Sequence, residues 1–173
     1  MGGRKSRLLV GDRPLAARHV ERLLAAGATR VLVVLGPDDR DLDLGGARVV
    51  LSSAPDQAGS LSVALAALDD DEDSVFVTPV DALPAAVGTL SAIGAALASA
   101  DAAIPTYRGQ GGHPIAARRA VLEAGRGRPL RDVLRDLGER CVRVAVEDAN
   151  VVTDLDTPED AERALGERPR FWA

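Results

Sequence analysis

The chain has 173 residues, which suits one domain and leaves no room for a second domain of full size. Hydrophobic residues make up 46% of the chain and aromatic residues only 2%, so we expect an aliphatic core. The net charge of −5 argues against a general nucleic-acid binder, because such a protein needs a basic face to neutralise phosphates.

Other classes of protein are disfavoured by local features. Cys141 is the only cysteine, which excludes an internal disulfide and a cysteine metal cage. The uncharged stretch 82–100 contains Pro84, two glycines and much alanine, and therefore predicts a buried helix rather than a membrane span. Residues 1–10 lack the apolar core of a signal peptide. We therefore expect a cytoplasmic protein that binds neither membranes nor nucleic acid.

Short apolar runs alternate with helical patterns along the chain. The predicted strands are Arg30–Leu35, Ala47–Leu51, Ser74–Val80, Ala102–Pro105 and Cys141–Val146. The predicted helices are Pro14–Ala26, a helix from Ser60 or Ser62 through Leu68, Pro84–Ser99, Pro129–Leu137, and one that starts after Thr157. This alternation predicts a single α/β domain of Rossmann-like, doubly wound type, in which helices flank a mainly parallel sheet in three layers. The polar alternation of the last strand indicates an edge position.

Two acidic residues follow predicted strands or precede helices in positions suited to a metal. Asp81 comes directly after a buried strand, where its oxygens could hold Mg²⁺ together with substrate phosphates. Asp154 and Asp156 lie two residues apart and point to opposite faces of an extended chain, and we favour Asp156, next to the helix start. A helix-capping role stays open for Asp81 and for Asp156.

Three further features could contribute to a site. The segment 57–62 (QAGSLS) offers backbone amides at a predicted helix start, which can hold a phosphate or the edge of a base. His113 stands in a predicted tight turn, where a structural role is the simpler interpretation, and His19 is expected on a helix surface. Lys5 is the only lysine beside 20 arginines, a bias that codon usage in a GC-rich genome can explain.

Taken in order, several short motifs resemble those of the MobA-like nucleotidyltransferases, over nearly the whole chain. They are Met1–Gly2–Gly3–Arg4–Lys5, Gly11–Asp12–Arg13–Pro14–Leu15, Gly59–Ser60–Leu61–Ser62, Pro79–Val80–Asp81, Gly112–His113–Pro114 and the closing segment 154–160 (DLDTPED). The third and fifth are closest to the cytidylyl branch of the family.

This resemblance implies an enzyme that transfers NMP from an NTP, with CTP favoured, to a phosphorylated acceptor such as molybdopterin, releasing pyrophosphate. Asp81 and Asp156 would hold Mg²⁺, and Lys5 would stabilise the developing negative charge. Gly59, Ser60 and Ser62 would bind the nucleotide, and His113 would line the acceptor side. A glycosyltransferase with an Asp-x-Asp motif remains a minor alternative.

The chain departs from the family at its amino end, where the first strand and most of the glycine-rich loop have no counterpart. Three explanations stay open. The true start could lie about 10–20 residues upstream; the segment Arg7–Val10 could occupy the vacant strand position; or the chain could be a catalytically silent domain that binds a nucleotide or a protein partner. The base, the acceptor and the oligomeric state do not follow from the sequence.

Overall fold

The computed structural model describes residues 5–172, which form six α-helices and nine β-strands. The helices are α1 (Leu15–Ala25), α2 (Gln57–Ala66), α3 (Val87–Ala96), α4 (Arg119–Ala124), α5 (Leu130–Asp136) and α6 (Pro158–Leu165). The strands are β1 (Leu9–Val10), β2 (Arg13–Pro14), β3 (Leu32–Leu35), β4 (Arg48–Leu51), β5 (Ser74–Val77), β6 (Ala102–Tyr107), β7 (Gln110–Gly111), β8 (Ile115–Arg118) and β9 (Cys141–Ala145). Residues 1–4, which carry most of the first motif, lie outside the described range.

All five predicted strands are present, as β3, β4, β5, β6 and β9. Sequence reasoning missed β8 and the helix α4 that follows it directly. The reason is its composition: Ala116 and Ala117 are fully buried in β8, but alanine favours helices and gives no strand signal.

The larger sheet has the order β5-β8-β6, with β7 and β9 both paired to β6. Strand β8 runs antiparallel to both of its neighbours, so β5 and β6 run in the same direction, and β9 is parallel to β6. Among the described residues, strand β9 pairs only with β6, which agrees with its predicted edge position. The fold is therefore the predicted α/β type, with the reversed strands β7 and β8 in a mainly parallel arrangement.

Strands β3 and β4 form a separate parallel pair, and within residues 5–172 neither of them pairs with a strand of the larger sheet. The segment Arg7–Val10 does not join the two sheets. Within it, Leu9 and Val10 pair with β2, and Leu8 forms an antiparallel bridge with Phe171. The expectation that this segment could fill the vacant strand position is therefore wrong, because its backbone is engaged by the carboxy-terminal segment and by β2.

Helices cover both faces of the strands, as predicted. One hydrophobic cluster joins α1 and α3 to one face, through Val20, Leu90 and Ile93. A second joins α2, α4 and α5 to the other face, through Leu65, Leu122 and Leu134 and their neighbours. No helix in the described range is long and apolar enough to cross a membrane.

Helix α2 begins at Gln57, three residues before Ser60 and five before Ser62, the two predicted starts. Asp56 caps it, with a carboxylate oxygen that accepts a hydrogen bond from the Gly59 N–H at 2.8 Å. The predicted starts at Ser60 or Ser62 are wrong, because both serines lie inside the helix and the carboxylate of Asp56 satisfies the free amide instead.

A third hydrophobic cluster brings the two ends of the described chain together. Leu8 and Leu15 from the amino-terminal part pack with Leu83, Leu155 and Ala161. Because Leu83 follows β5 and Ala161 lies on α6, this cluster places the segments around residues 5, 81 and 156 side by side.

Candidate active site

Asp81 lies in the loop that follows β5, at the carboxyl end of the strand. Its backbone carbonyl accepts a hydrogen bond from the Leu155 N–H at 2.8 Å, and Ala82 forms an antiparallel bridge with Asp154. This short pairing joins the loop after β5 to the segment that leads into α6. It therefore fixes Asp81 and Asp156 at the same edge of the fold.

Lys5 bridges these two carboxylates. Its ammonium nitrogen lies 2.7 Å from Asp81 Oδ2 and 2.5 Å from Asp156 Oδ1. The Lys5 and Asp81 side chains are partly buried, whereas the Asp156 side chain is 68% exposed. Burial lowers the pKa of Lys5, but the hydrogen bonds to Asp156 and Asp81 and the attraction of both charges outweigh it, and the net pKa is raised. Lys5 is therefore a fixed positive charge at neutral pH.

The capping roles that the sequence left open belong to other residues. Thr157 caps α6, in a reciprocal capping box with Asp160, which leaves the Asp156 side chain for Lys5. At the start of α3, the carboxylate of Asp148 accepts from the Ala86 N–H at 2.7 Å. Neither Asp81 nor Asp156 is thus needed to begin a helix.

Lys5 is held in place by its neighbours in the chain. The buried hydroxyl of Ser6 donates to Asp39 Oδ2, and Arg7 Nε donates to Asp39 Oδ1, each at 2.8 Å. Asp39 lies in a short 3₁₀ turn after β3. The first described residues are therefore anchored to the end of β3. Sequence reasoning missed Asp39, because nothing in its surface-like sequence context indicates burial.

His113 borders the same edge. Its backbone N–H donates to the Val151 carbonyl at 2.7 Å, and its peptide bond to Pro114 is cis. Glycine is required at position 112, since a Cβ there would lie 1.8 Å from the Val151 oxygen. Burial lowers the pKa of His113 more than the nearby Asp154 and Asp81 raise it. Its Nδ1 is buried and has no hydrogen-bond partner in the described chain.

His19 is a second buried histidine near Asp81, and the expectation of a surface position is wrong. Its side chain packs on the core face of α1, and Nε2 lies 2.8 Å from the Ala82 carbonyl oxygen. A carbonyl only accepts, so Nε2 carries the proton. The periodic apolar residues of α1 include position 19 on their face, a signal that could have found it.

The predicted nucleotide-binding residues Gly59, Ser60 and Ser62 lie in the first two turns of α2. Ser60 borders a large cleft that also reaches Asp81 and His113. Ser62 is engaged elsewhere, because its hydroxyl donates to the Ala58 carbonyl and accepts from the Gly127 N–H. Gly59 allows close packing, since a Cβ there would lie 2.9 Å from the Cβ of Ala54.

The carboxylate oxygens of Asp81 and Asp156 could supply some of the ligands of a hard divalent cation. Two carboxylates converge on one positive charge, and oxygen ligands are those that Mg²⁺ and Mn²⁺ prefer. Within residues 5–172 there is no group of three or more histidine, cysteine or acidic side chains that could hold a metal ion. A metal bound by Asp81 and Asp156 would therefore complete its coordination with substrate oxygens and water, as Mg²⁺ commonly does.

Solved structures share this fold. A Mycobacterium sp. strain JC1 homologue of Mycobacterium tuberculosis Rv0371c superposes with a TM-score of 0.81 at 24% identity, over 96% of this chain and 88% of that chain. Rv0371c of M. tuberculosis H37Rv, solved in complex with manganese, gives 0.80 at 24% identity, over 96% and 94%. The 2-C-methyl-D-erythritol 4-phosphate cytidylyltransferase of Thermus thermophilus gives 0.76 at 22% identity, over 95% and 93%.

A search of curated proteins found no match. The family comparison gives a direct result, because the model of the MobA-like NTP transferase domain matches residues 1–151, most of the chain. Together with the shared fold and the site at the carboxyl end of β5, this match shows that the chain belongs to the MobA-like NTP transferase family of nucleotidyltransferases.

Proposed function

We propose that this chain transfers a nucleoside monophosphate from an NTP to a phosphorylated small molecule, with a divalent metal ion held by Asp81 and Asp156. The observation that carries the proposal is the convergence of Lys5, Asp81 and Asp156 at one edge of the fold. The two carboxylates can bind a metal ion, and the ammonium group can neutralise phosphate charge. Both are needed in a reaction that joins one phosphate group to another.

In this reaction an acceptor phosphate oxygen attacks the α-phosphorus of the NTP. The bond from the α-phosphorus to the oxygen that bridges to the β-phosphate breaks, and pyrophosphate leaves with that oxygen. Bound Mg²⁺ would neutralise phosphate charge and align the reacting groups. Lys5, protonated throughout the neutral range, would stabilise the negative charge that develops on the transferred phosphoryl group and the leaving oxygen.

The backbone around Asp81 and Asp156 holds both carboxylates in position before a substrate binds. Asp81 is fixed through the Leu155 N–H, and Asp156 stands directly before the capped start of α6. The geometry of both is therefore set by backbone pairing rather than by the ligand, a form of preorganisation that lowers the cost of reaching the transition state.

The remaining assignments place the substrates on either side of this centre. Gly59, Ser60 and Ser62, at the start of α2, would bind the base or ribose of the nucleotide. His113, neutral at pH 7, would line the acceptor side with its unpartnered Nδ1 as an acceptor or donor. The likeness of the segments 59–62 and 112–114 to the cytidylyl branch favours CTP and molybdopterin, and one structural neighbour is named as a cytidylyltransferase. Because NTPs are the substrates, we place the reaction in the cytoplasm.

The test is release of pyrophosphate from each of the four NTPs, with Mg²⁺ or Mn²⁺ and with molybdopterin as acceptor. We expect release that depends on metal and acceptor and is fastest with CTP. Faster release with another NTP would overturn only the choice of base. Nucleotide binding without turnover under any of these conditions would favour the catalytically silent domain.

A further inference from the structure

The 3₁₀ turn Ala149–Val152 contacts both the loop that follows Asp81 and the segment around His113. These two site residues belong to different loops, one after β5 and one between β7 and β8. Hydrogen bonds attach each loop to the turn or to a residue that flanks it. The position of the turn therefore bears on the distance between the proposed metal site and the proposed acceptor side.

On one side, the turn holds the segment around His113. The Val151 carbonyl accepts a hydrogen bond from the His113 N–H at 2.7 Å. Gly112 packs directly against the same carbonyl, since a Cβ at position 112 would lie 1.8 Å from its oxygen. Val151 itself is only 1% exposed and belongs to the hydrophobic cluster that contains Leu90. A shift of the turn must therefore shift the backbone at His113 as well.

On the other side, the turn holds the loop that follows Asp81. The side-chain amide of Asn150 donates to the Pro84 carbonyl at 2.9 Å. The Leu83 N–H donates to the carbonyl of Thr153, the residue directly after the turn, also at 2.9 Å. These bonds continue the backbone pairing that begins at Asp81. The loop of the metal site and the segment of the acceptor side are therefore attached to the same turn.

The carboxylate of Asp148 fixes this turn against α3. Its Oδ1 accepts from the Asn150 N–H at 3.2 Å, and its Oδ2 accepts from the Ala86 N–H at 2.7 Å and the Thr89 hydroxyl at 2.9 Å. Thr89 is buried, so the loss of its acceptor would be costly. One carboxylate thus begins both the 3₁₀ turn and α3, and holds one against the other.

The spacing of the two loops matters because the reaction joins two substrates. The acceptor oxygen has to meet the α-phosphorus roughly in line with the leaving pyrophosphate. A displacement of about 1 Å can cost about a hundredfold in rate, even when its cause lies outside the reacting groups. An element attached to both loops is therefore placed to control the rate of transfer.

We propose that Asp148 and Asn150 are positioning residues, which set the separation between Asp81 and His113 through the turn Ala149–Val152. They act on the reaction through the backbone of the two loops rather than by contact with a substrate. This inference rests on the proposed function, in which Asp81 holds a metal ion and His113 lines the acceptor side.

The two histidines of the chain provide probes on either side of this spacing. The His19 ring lies 2.8 Å from the Ala82 carbonyl oxygen, next to Asp81, whereas His113 is attached to the turn. Bound Mn²⁺ speeds the NMR relaxation of nearby protons, and the effect falls steeply with distance. The ratio of the Mn²⁺-induced rates at the two imidazole rings therefore reports the separation without any turnover.

Three variants separate positioning from stability. Asn150→Ala removes the bond to Pro84 and leaves the backbone bonds of the turn in place. Asp148→Asn keeps the shape of the side chain, but its amide nitrogen cannot accept, so one of the two oxygen acceptors is lost. Leu122→Val lies in the second hydrophobic cluster, on the opposite face of the strands from α1, and is the control for a loss of stability alone.

We expect Asn150→Ala and Asp148→Asn to change the ratio of the two relaxation rates by about twofold, the effect of a displacement of about 1 Å. The change should lie at the His113 ring. We also expect kcat for CMP transfer from CTP to molybdopterin to fall by about tenfold, while the Kd of CTP with Mn²⁺ changes little. Leu122→Val should lower the melting temperature and keep the parent ratio and the parent kcat.

Four results would contradict the inference or its basis. The parent ratio in either Asn150→Ala or Asp148→Asn, in a protein that melts cooperatively, would show that the residue only stabilises the fold. A changed ratio in Leu122→Val would show a general loosening and would also overturn the inference. Equal transfer rates in all four proteins would show that the spacing does not control the reaction. If Mn²⁺ relaxes neither ring in the parent chain, the metal site fails, and this inference fails with it.

A failure of the proposed reaction gives a different pattern. A parent chain that shows the expected relaxation and no transfer from any NTP would overturn the substrates of the proposed function. A changed ratio in the two variants would still support the positioning role in that case, because the relaxation measurement needs only the protein and Mn²⁺.

Discussion

The ammonium nitrogen of Lys5 lies 2.7 Å from a carboxylate oxygen of Asp81, although 76 residues separate the two in the chain. The contact depends on the cluster of Leu8, Leu83 and Leu155, which packs the amino-terminal segment against the loop after β5. It also depends on Asp39, which holds the two residues that follow Lys5. The charge arrangement of the site is therefore a product of tertiary packing.

Replacement of Asp81 by asparagine should abolish most of the turnover while the fold persists. The amide keeps the shape of the side chain but removes the negative charge that a metal and Lys5 require. A metal contributes several kcal/mol to such a transition state, so we expect a loss of about a hundredfold or more in kcat/KM. Steady-state pyrophosphate release checks this. Asp136→Asn, at an exposed carboxylate paired with Arg128, is the matched control and should keep full activity.

Lys5→Met should separate metal binding from catalysis. Removal of the ammonium group leaves Asp81 and Asp156 without their shared positive partner, so their attraction for a divalent cation rises. We expect tighter Mn²⁺ binding, by several-fold in a titration followed by electron paramagnetic resonance, together with slower turnover. Weaker Mn²⁺ binding would mean that Lys5 positions the carboxylates rather than competing with the cation.

Asp39→Ala should destabilise the protein and also slow the reaction, because Asp39 anchors the residues next to Lys5. It leaves the buried Ser6 hydroxyl without its acceptor, a loss of about 1–3 kcal/mol. For a domain of this size that corresponds to a melting temperature lower by roughly 2–12 °C. Asp41→Ala removes a largely exposed partner of Arg7 and should melt like the parent chain. Equal melting of the two variants would show that Asp39 has no special role.

The buried His19 should make stability depend on pH on the acid side. Burial lowers its pKa in the folded protein, against the weaker effects of the Ala82 carbonyl and Asp81, while the unfolded chain takes up a proton near the ordinary value of 6.5. The unfolded state thus binds more protons, so this contribution to stability is complete above about pH 6.5 and is lost as the pH falls below it.

His19→Gln should reduce that dependence, because the glutamine amide can donate to the same carbonyl and does not titrate. Melting temperatures between pH 7.5 and 5 check the prediction. The parent chain should lose more stability than the variant over this range. His113 also has a lowered pKa, but it is present in both proteins and cancels in the comparison. Parallel curves would contradict the assignment.

Much of the fold could be predicted from local sequence patterns. The runs at β3 and β5 and the face of α1 have the periodicity of buried elements, and all five predicted strands exist. Strand β8 was not predicted, because its buried residues include Ala116 and Ala117, and alanine shows no preference for strands. The start of α2 was misplaced because Ser60 and Ser62 are both common capping residues, and only the structure shows that the carboxylate of Asp56 meets the free amide.

The site was predictable only in part. Their positions next to a strand end and a helix start pointed to Asp81 and Asp156, and the family resemblance added Lys5. The structure brings these three residues together. Their mutual contact, the anchoring by Asp39 and the burial of His19 depend on residues far apart in the chain, which no local pattern encodes. The assignments of Gly59, Ser60, Ser62 and His113 to substrates stay predictions.

The most direct test of the central claim is a thermal melt of the chain with each of the four NTPs, with and without Mg²⁺, repeated with Asp81→Asn. A ligand at 100 times its Kd stabilises a protein by about 2.7 kcal/mol, which is a rise of roughly 5–11 °C for a domain of this size. We predict such a rise with one NTP, only with Mg²⁺ and only in the parent chain. A rise that persists without Mg²⁺ or in Asp81→Asn, or no rise with any NTP from a protein that melts cooperatively, would contradict the account.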